Sequence, residues 1–419
     1  MLHLFLFNED DMDVNEVRSL FPQLQETVYG KPLVYLDNAA TSLRPTAVVR
    51  EWEEMSLRHN SNLHRAVHKT AVDATEKYES ARTAVAGFLG AASSKEIIFT
   101  SGTTQSINLL ASCLENGGFF EEGDEIIIAE SEHHSNIVPW QLVSSRKGLI
   151  IKKLPVNQRG EIEVEILPSL LSPRTKICCV AQVSNVLGII NPIREICDIC
   201  HANGTLVLVD GAQGIAHVPT DVQSLGCDFY AFSAHKMYAS PGVGVLYGKK
   251  DLLDNLPPYM GGGEMIESVS WEATTFAPVP GRFEAGTQNI SGVPTIVPAI
   301  EICKQLRNRE IEEEQARIKD YVLGAFAEDP DITLYGNPDD RAKKIPLFSI
   351  SVRGAHHEDL ALILDKMGIA TRSGQMCAEP LMGRFGVTGM LRASFAPYNT
   401  LAEAKYFVEC LQKAIKMLK

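Results

Sequence analysis

No apolar run in the chain approaches the roughly 20 residues that a membrane span requires, so no segment is expected to cross a bilayer. Positive charge is also scarce: 39 Lys and Arg stand against 52 Asp and Glu, a formal net charge of -13. Without a basic stripe to neutralise phosphates, nucleic-acid binding is excluded as a reading. Nine cysteines, an odd number scattered over 419 residues, make no disulfide framework. No G-x-G-x-x-G follows a strand pattern, and "MGGGEM" (260–265) opens no evident helix, which removes a nicotinamide dehydrogenase. His133 and His134 are adjacent and His64 and His68 lie four apart, the latter pair expected on one helix face. Neither pair comes with a Cys/His/Asp set at ligand spacing, so no metal site is expected.

The opening "MLHLFLFNEDDMD" has no basic residue before its apolar run and acids straight after it, so it fails as a secretory signal. Residues 1–11 are expected to be disordered or a start-site extension, with Met12 as an alternative start. The expected location is the cytoplasm, where thiols stay reduced. "CDICH" (197–201) matches redox and haem-attachment spacings. It also continues the helical spacing of Ile193, Ile196, Cys197 and Cys200, and a buried helix face is the expected role.

What is present is an alternation. Short β-branched runs at 96–100, 124–129, 149–156, 176–184, 205–212, 228–236 and 242–248 read as strands, and 103–115 and 192–203 carry helical periodicity. Several runs are continuously apolar, as strands buried on both faces of a largely parallel sheet are, which predicts an α/β domain with helices on both faces. Residues 257–298 shift to Gly, Pro, Ser and Thr but keep Trp271, Phe276 and Phe283, and are expected to form long ordered loops. A charged helix at about 299–327 follows, then a smaller α+β domain built from 346–352, 357–368, 390–396 and 401–418, the last with a stripe of Phe407, Leu411, Ala414 and Leu418.

In an open α/β sheet the crevice lies at the carboxyl ends of the strands. The first strand runs into "SGTTQS", where free backbone N–H groups and hydroxyls suit either a phosphate or an ordinary helix cap. "TLVLVDGAQG" delivers Asp210 and Gln213, and "FSAHKMYASPG" delivers Ser233, His235 and Lys236. A lysine beside an aspartate and a phosphate-binding turn is the arrangement for a Schiff base to pyridoxal phosphate, with the carboxylate holding the pyridine nitrogen protonated. His133 fits as a ring stacked on that cofactor.

From "YLDNAATS" (35–42) to the C-terminal end the chain resembles class V, fold-type I pyridoxal-phosphate enzymes, most closely the SufS-type cysteine desulfurases. The motifs are "DNAAT", "GTT", "EHHSNIVPW", "VSNVLG", "VDGAQ", "FSAHK", "RFEAGTQN", "CAEPLM" and "RASFAPYNT", in order. The resemblance implies the fold-type I architecture: a large domain at 31–298 and a small C-terminal domain at 299–419 carrying the cysteine loop, with residues 1–30 packing on the small domain. It implies pyridoxal 5'-phosphate on Lys236, with Asp210 on the pyridine nitrogen, Gln213 on the phenolic oxygen and His133 on the ring. Thr103, Thr104, Ser233 and His235 would hold the phosphate. Thr287 would reach the phosphate in the other subunit of a homodimer. Arg392 and Asn185 would bind the substrate carboxylate, with His68 nearby.

The implied reaction converts L-cysteine to L-alanine, with Lys236 moving the α-proton and Cys377 taking the sulfur as a persulfide. Arg372 would favour the thiolate. A SufE- or SufU-like acceptor feeding iron–sulfur cluster assembly would follow. The spacing from Arg372 to Cys377 resembles the SufS-like rather than the IscS/NifS-like group. The chain departs from the common pattern with "GQMC" for "GHHC", "SAHK" for "SGHK", "GTTQ" for "GTTE" and "YASPG" for "YGPTG". A selenocysteine lyase, an aminotransferase or a kynureninase-like lyase would share Lys236 and Asp210. Cys377 argues against a plain aminotransferase and leaves L-selenocysteine open as a substrate, and an inactive scaffold would have lost the lysine or the arginine.

Overall fold

A computed structural model describes residues 12–327, 329–338 and 340–419. The expectation for residues 1–11 lies outside the described residues. Seven strands form the main sheet: β1 (Ile97–Thr100), β2 (Glu125–Ala129), β3 (Ile150–Leu154), β4 (Thr175–Ala181), β5 (Leu206–Asp210), β6 (Phe229–Ser233) and β7 (Gly244–Gly248). Their spatial order is β1-β7-β6-β5-β4-β2-β3. The pairs β2/β3, β2/β4, β4/β5 and β5/β6 are parallel, and β7 runs antiparallel to both neighbours.

The continuous apolar runs have a direct cause. Ile127, Ala129, Cys178, Val180, Val207 and Val209 enter one core cluster, while their neighbours Ile126, Ile128, Ile177, Cys179 and Leu208 enter a second on the opposite face. Each large aliphatic side chain so buried stabilises the fold by about 1.5–3 kcal/mol. Strand β3 is at the edge, and Ile150 and Ile151 are correspondingly half exposed. The helix Ile193–Ala202 buries Ile193, Ile196, Cys197 and Cys200, so the C-x-x-C spacing is a core-facing stripe. Among the described residues no helix is long and apolar enough to cross a membrane.

A second, antiparallel sheet holds β8 (Ile332–Tyr335), β9 (Leu347–Val352), β10 (Arg372–Gly374) and β11 (Met390–Ser394) in the order β8-β9-β11-β10. Behind it, Phe326, Phe348, Phe395 and Phe407 make edge-to-face contacts, and Leu411 and Ala414 of the helix Leu401–Leu418 are buried. Near the N-terminal end, Arg18 bonds the Tyr398 carbonyl at 2.7 Å and pairs with Glu403 at 2.9 Å. Val34–Tyr35 pairs in parallel with Ile369–Ala370, which brings Asp37 against β11.

Three local expectations are corrected. The charged segment is two helices, Ile296–Gln305 and Arg309–Ala327, because the Asn308 side chain accepts from the Ile311 N–H at 3.0 Å and starts a new helix. Within 257–298 a hairpin forms, Ile266–Val269 against Thr274–Phe276, with Trp271 fully exposed at its tip. His64 and His68 share no helix face. His64 has a left-handed backbone (φ 66°), and His68 is the N-cap of the helix Lys69–Leu89, its Nδ1 accepting from the Ala71 N–H at 3.3 Å.

Candidate active site

The carboxyl ends of β4, β5 and β6 converge with the start of the helix Thr103–Asn116 on a cavity of about 250 Å³. Ala181 and Asp210, the last residues of β4 and β5, are register partners there. Asp210 is buried, and one of its oxygens accepts from the Ala212 N–H at 2.9 Å. Burial raises its carboxyl above the ordinary range, against the opposing pull of that N–H and of Lys236. Lys236 lies on the short turn Ala234–Met237 that follows β6. Burial pushes its ammonium down to about 8, Asp210 pulling the other way.

The phosphate-type cradle is built by backbone and hydroxyls. Gly102 begins the helix with no side-chain cap, leaving N–H groups at its first turn. Ser233 Oγ accepts from the Thr103 N–H at 2.8 Å and meets Thr103 Oγ1 at 2.8 Å. Gly244 makes the approach possible, since a Cβ there would lie 2.3 Å from the Gly102 Cα. His235 Nδ1 meets Thr41 Oγ1 at 3.1 Å, and burial lowers its imidazole to about 4.

His133 follows β2. Burial, then the nearby Lys236 charge, lowers it to about 4, so the ring is neutral. Its Nδ1 accepts from the Ser135 N–H at 3.1 Å, which assigns the proton to Nε2. Ser135 also meets Thr104 Oγ1 at 2.7 Å, a link the sequence reading missed. Gln213 Nε2 donates to the Ala39 carbonyl at 2.7 Å.

On the far wall Arg372 and Arg392 are register partners on β10 and β11. Like charges directly opposite are unfavourable, and Asp37 answers both: Oδ1 lies 3.1 Å from Arg392 and Oδ2 lies 3.9 Å from Arg372. Arg392 also donates to the Asn185 carbonyl at 2.8 Å, and its buried Nε has no partner among the described residues. Asp37 was also missed, although it stands after the short apolar run "LVYL" much as Asp210 stands after "LVLV". Asn185, Met376 and Cys377 complete this wall. Cys377 is exposed while the other eight cysteines are buried.

Thus Thr103, Thr104, His133, Asn185, Asp210, Gln213, Ser233, His235, Lys236, Arg372, Cys377 and Arg392 line one cavity. His68 and Thr287 do not. Both are exposed on this single chain, as Thr287 would be if it serves a second subunit.

The fold and site define a class. The aminotransferase class-V profile matches residues 34–407, and the chain belongs to that family. Within it the chain groups with the cysteine desulfurases. It is 42% identical over 407 residues to a probable cysteine desulfurase of Vibrio cholerae, covering 97% of this chain and 100% of that protein. It is 44% identical to a cysteine desulfurase of Klebsiella pneumoniae, covering 97% and 99%. The crystal structure of the cysteine desulfurase CsdA from Escherichia coli, in an S-sulfonic acid form, superimposes with a TM-score of 0.88 at 39% identity, covering 98% and 100%.

These enzymes depend on pyridoxal 5'-phosphate. The cavity fits that group. An amine of lowered basicity lines the same cavity as a buried carboxyl that burial raises and that a protonated pyridine nitrogen would pair, and the hydroxyls of Thr103, Thr104 and Ser233 stand at the helix start where the phosphate would sit.

Proposed function

We propose that the protein removes sulfur from L-cysteine, leaving L-alanine, and that Cys377 carries the sulfur as a persulfide. One observation carries this reading: the single exposed cysteine lines the same cavity as Lys236 and Asp210. Lys236 would hold the cofactor, Asp210 its pyridine nitrogen, Gln213 its phenolic oxygen, His133 its ring face, and Thr103, Thr104, Ser233 and His235 its phosphate. When bound, the cofactor supplies an electron sink for bonds broken next to the amino-acid nitrogen.

The chain's own residues do the rest. Arg392, with one buried nitrogen unpaired, and the Asn185 amide receive the substrate carboxylate. Lys236, its amine less basic than usual, takes and returns the α-proton. The Cys377 thiolate attacks the substrate sulfur. The S–S bond forms as the C–S bond breaks, the electron pair stays with carbon, and a proton added there completes alanine.

The remaining assignments rest on family resemblance: a homodimer in which Thr287 reaches the second site, His68 near the substrate, division into domains at 31–298 and 299–419, and a SufE- or SufU-like acceptor; the proposed location is the cytoplasm. The deciding experiment measures alanine and sulfide released with a thiol reductant from L-cysteine, L-selenocysteine and kynurenine in parallel. L-cysteine turnover is expected, lost in Cys377→Ser and in Lys236→Ala, the latter also losing the cofactor's bound-state absorption. Full sulfide release by Cys377→Ser, or a preference for kynurenine, would overturn the reading.

A further inference from the structure

The loop that presents Cys377 has an unusual backbone. Met376 and Cys377 are consecutive non-glycine residues in the left-handed region, at φ 54° and 53°. Neither residue type favours it, so neighbouring groups must hold the conformation. The loop's own bonds are few: Ala378 N–H to the Gln375 carbonyl at 3.0 Å, and Gln375 Nε2 to Glu379 Oε1 at 3.3 Å. The helix that follows, Glu379–Phe385, has Ala378 at its N-cap and so no side-chain cap of its own.

His134, more than 240 residues earlier in the chain, supplies what is missing. Its backbone N–H donates to the Cys377 carbonyl at 2.7 Å, and its ring Nε2 accepts from the Glu379 N–H at 3.1 Å. One residue therefore grips the loop at the thiol residue's carbonyl and again two residues further on, and serves the helix as an external cap. Accepting at Nε2 requires that nitrogen to be unprotonated, which assigns the proton of the neutral ring to Nδ1. The cavity is lined by His133 but not by His134, so the ring acts on the loop rather than on the reacting atoms.

We infer that His134 is a positioning residue for sulfur transfer: its ring acceptor sets the loop conformation from which Cys377 attacks. The inference rests on the reading of Cys377 as sulfur carrier. Met376 is buried, 4% exposed, and its carbonyl accepts from the Asn185 amide at 2.9 Å, while His134 holds the Cys377 carbonyl and the Glu379 N–H.

The test compares His134→Gln with His134→Asn in the full-length, cofactor-loaded enzyme. Both keep the backbone donor and a polar side chain, but only glutamine extends far enough to offer an acceptor where Nε2 stood. Loss of a cap-type bond predicts that His134→Asn forms the Cys377 persulfide about tenfold more slowly in a single turnover, and that His134→Gln stays within about threefold of the parent. KM for L-cysteine and the cofactor absorption are expected to be unchanged in both. Parent-like rates in His134→Asn, an equal loss in both variants, or a matching change in KM or absorption would overturn the inference. Desulfuration surviving in Cys377→Ser is a separate result: the functional reading then fails, and the inference with it.

Discussion

The side-chain amide of Asn185 donates to the Met376 carbonyl at 2.9 Å, while the carbonyl of Asn185 accepts from Arg392 at 2.8 Å. The residue expected to bind the substrate carboxylate is thus also tied to the cysteine loop. Asn185→Ala removes both uses of the amide. The variant is expected to raise KM for L-cysteine about tenfold and to speed iodoacetamide labelling of Cys377 in the free enzyme, as loss of one buried hydrogen bond implies. Unchanged labelling would separate the amide from the loop.

Arg392→Lys keeps the charge but not the planar fork that reaches Asn185 and Asp37 together and that, on the proposed function, would also receive a carboxylate. KM for L-cysteine is expected to rise by about 10- to 100-fold, with the cofactor absorption unchanged. Steady-state kinetics beside an absorption spectrum check both halves.

Lys236 gives a pH dependence in the cofactor-free protein. Its ammonium is lowered from 10.5 to about 8, so the folded protein loses this proton before the unfolded chain does. Between those values the unfolded state binds more protons, and stability rises with pH. Lys236→Met is expected to remove that rise, on the order of 3 kcal/mol. Urea midpoints of variant and parent at about pH 7.5 and about pH 10.5 measure the difference.

Arg82 and Glu284 form a buried pair, with contacts at 2.6 and 2.9 Å, and Glu284 also accepts from the Phe99 N–H at 2.7 Å. Arg82→Met would leave that carboxylate buried beside the sheet without its cation. A loss of roughly 3–5 kcal/mol is expected in denaturant unfolding. The double variant Arg82→Met, Glu284→Gln is expected to recover part of it, which separates an unpaired charge from lost packing.

Much of this was legible in the sequence, and the reasons are particular. Strands buried on both faces must be apolar throughout, so "EIIIA" and "TLVLV" declared themselves. Asp210 and Lys236 stood out because charged residues at the ends of such strands need a use. The break at Asn308 was not legible, since one side-chain bond decides between one helix and two. Nor was His134, whose partners at 377 and 379 are adjacent to it only after the two sheets meet. The hairpin within 257–298 was not legible either, because its short strands are largely exposed and leave no apolar alternation to read.

The reversed direction of β7 has a consequence of its own. Every neighbour brings the end of a strand to the crevice, while β7 brings its beginning, and Gly244 there faces Thr100 on one side and Ser233 on the other. Because a methyl group at 244 would strike the Gly102 backbone, this residue is constrained by the adjacent loop more than by its own strand. A change as small as Gly244→Ala would push the turn at 101–103 away from Ser233. The width of the cradle is therefore set by a residue that lends it no polar side chain, through an atom it does not have.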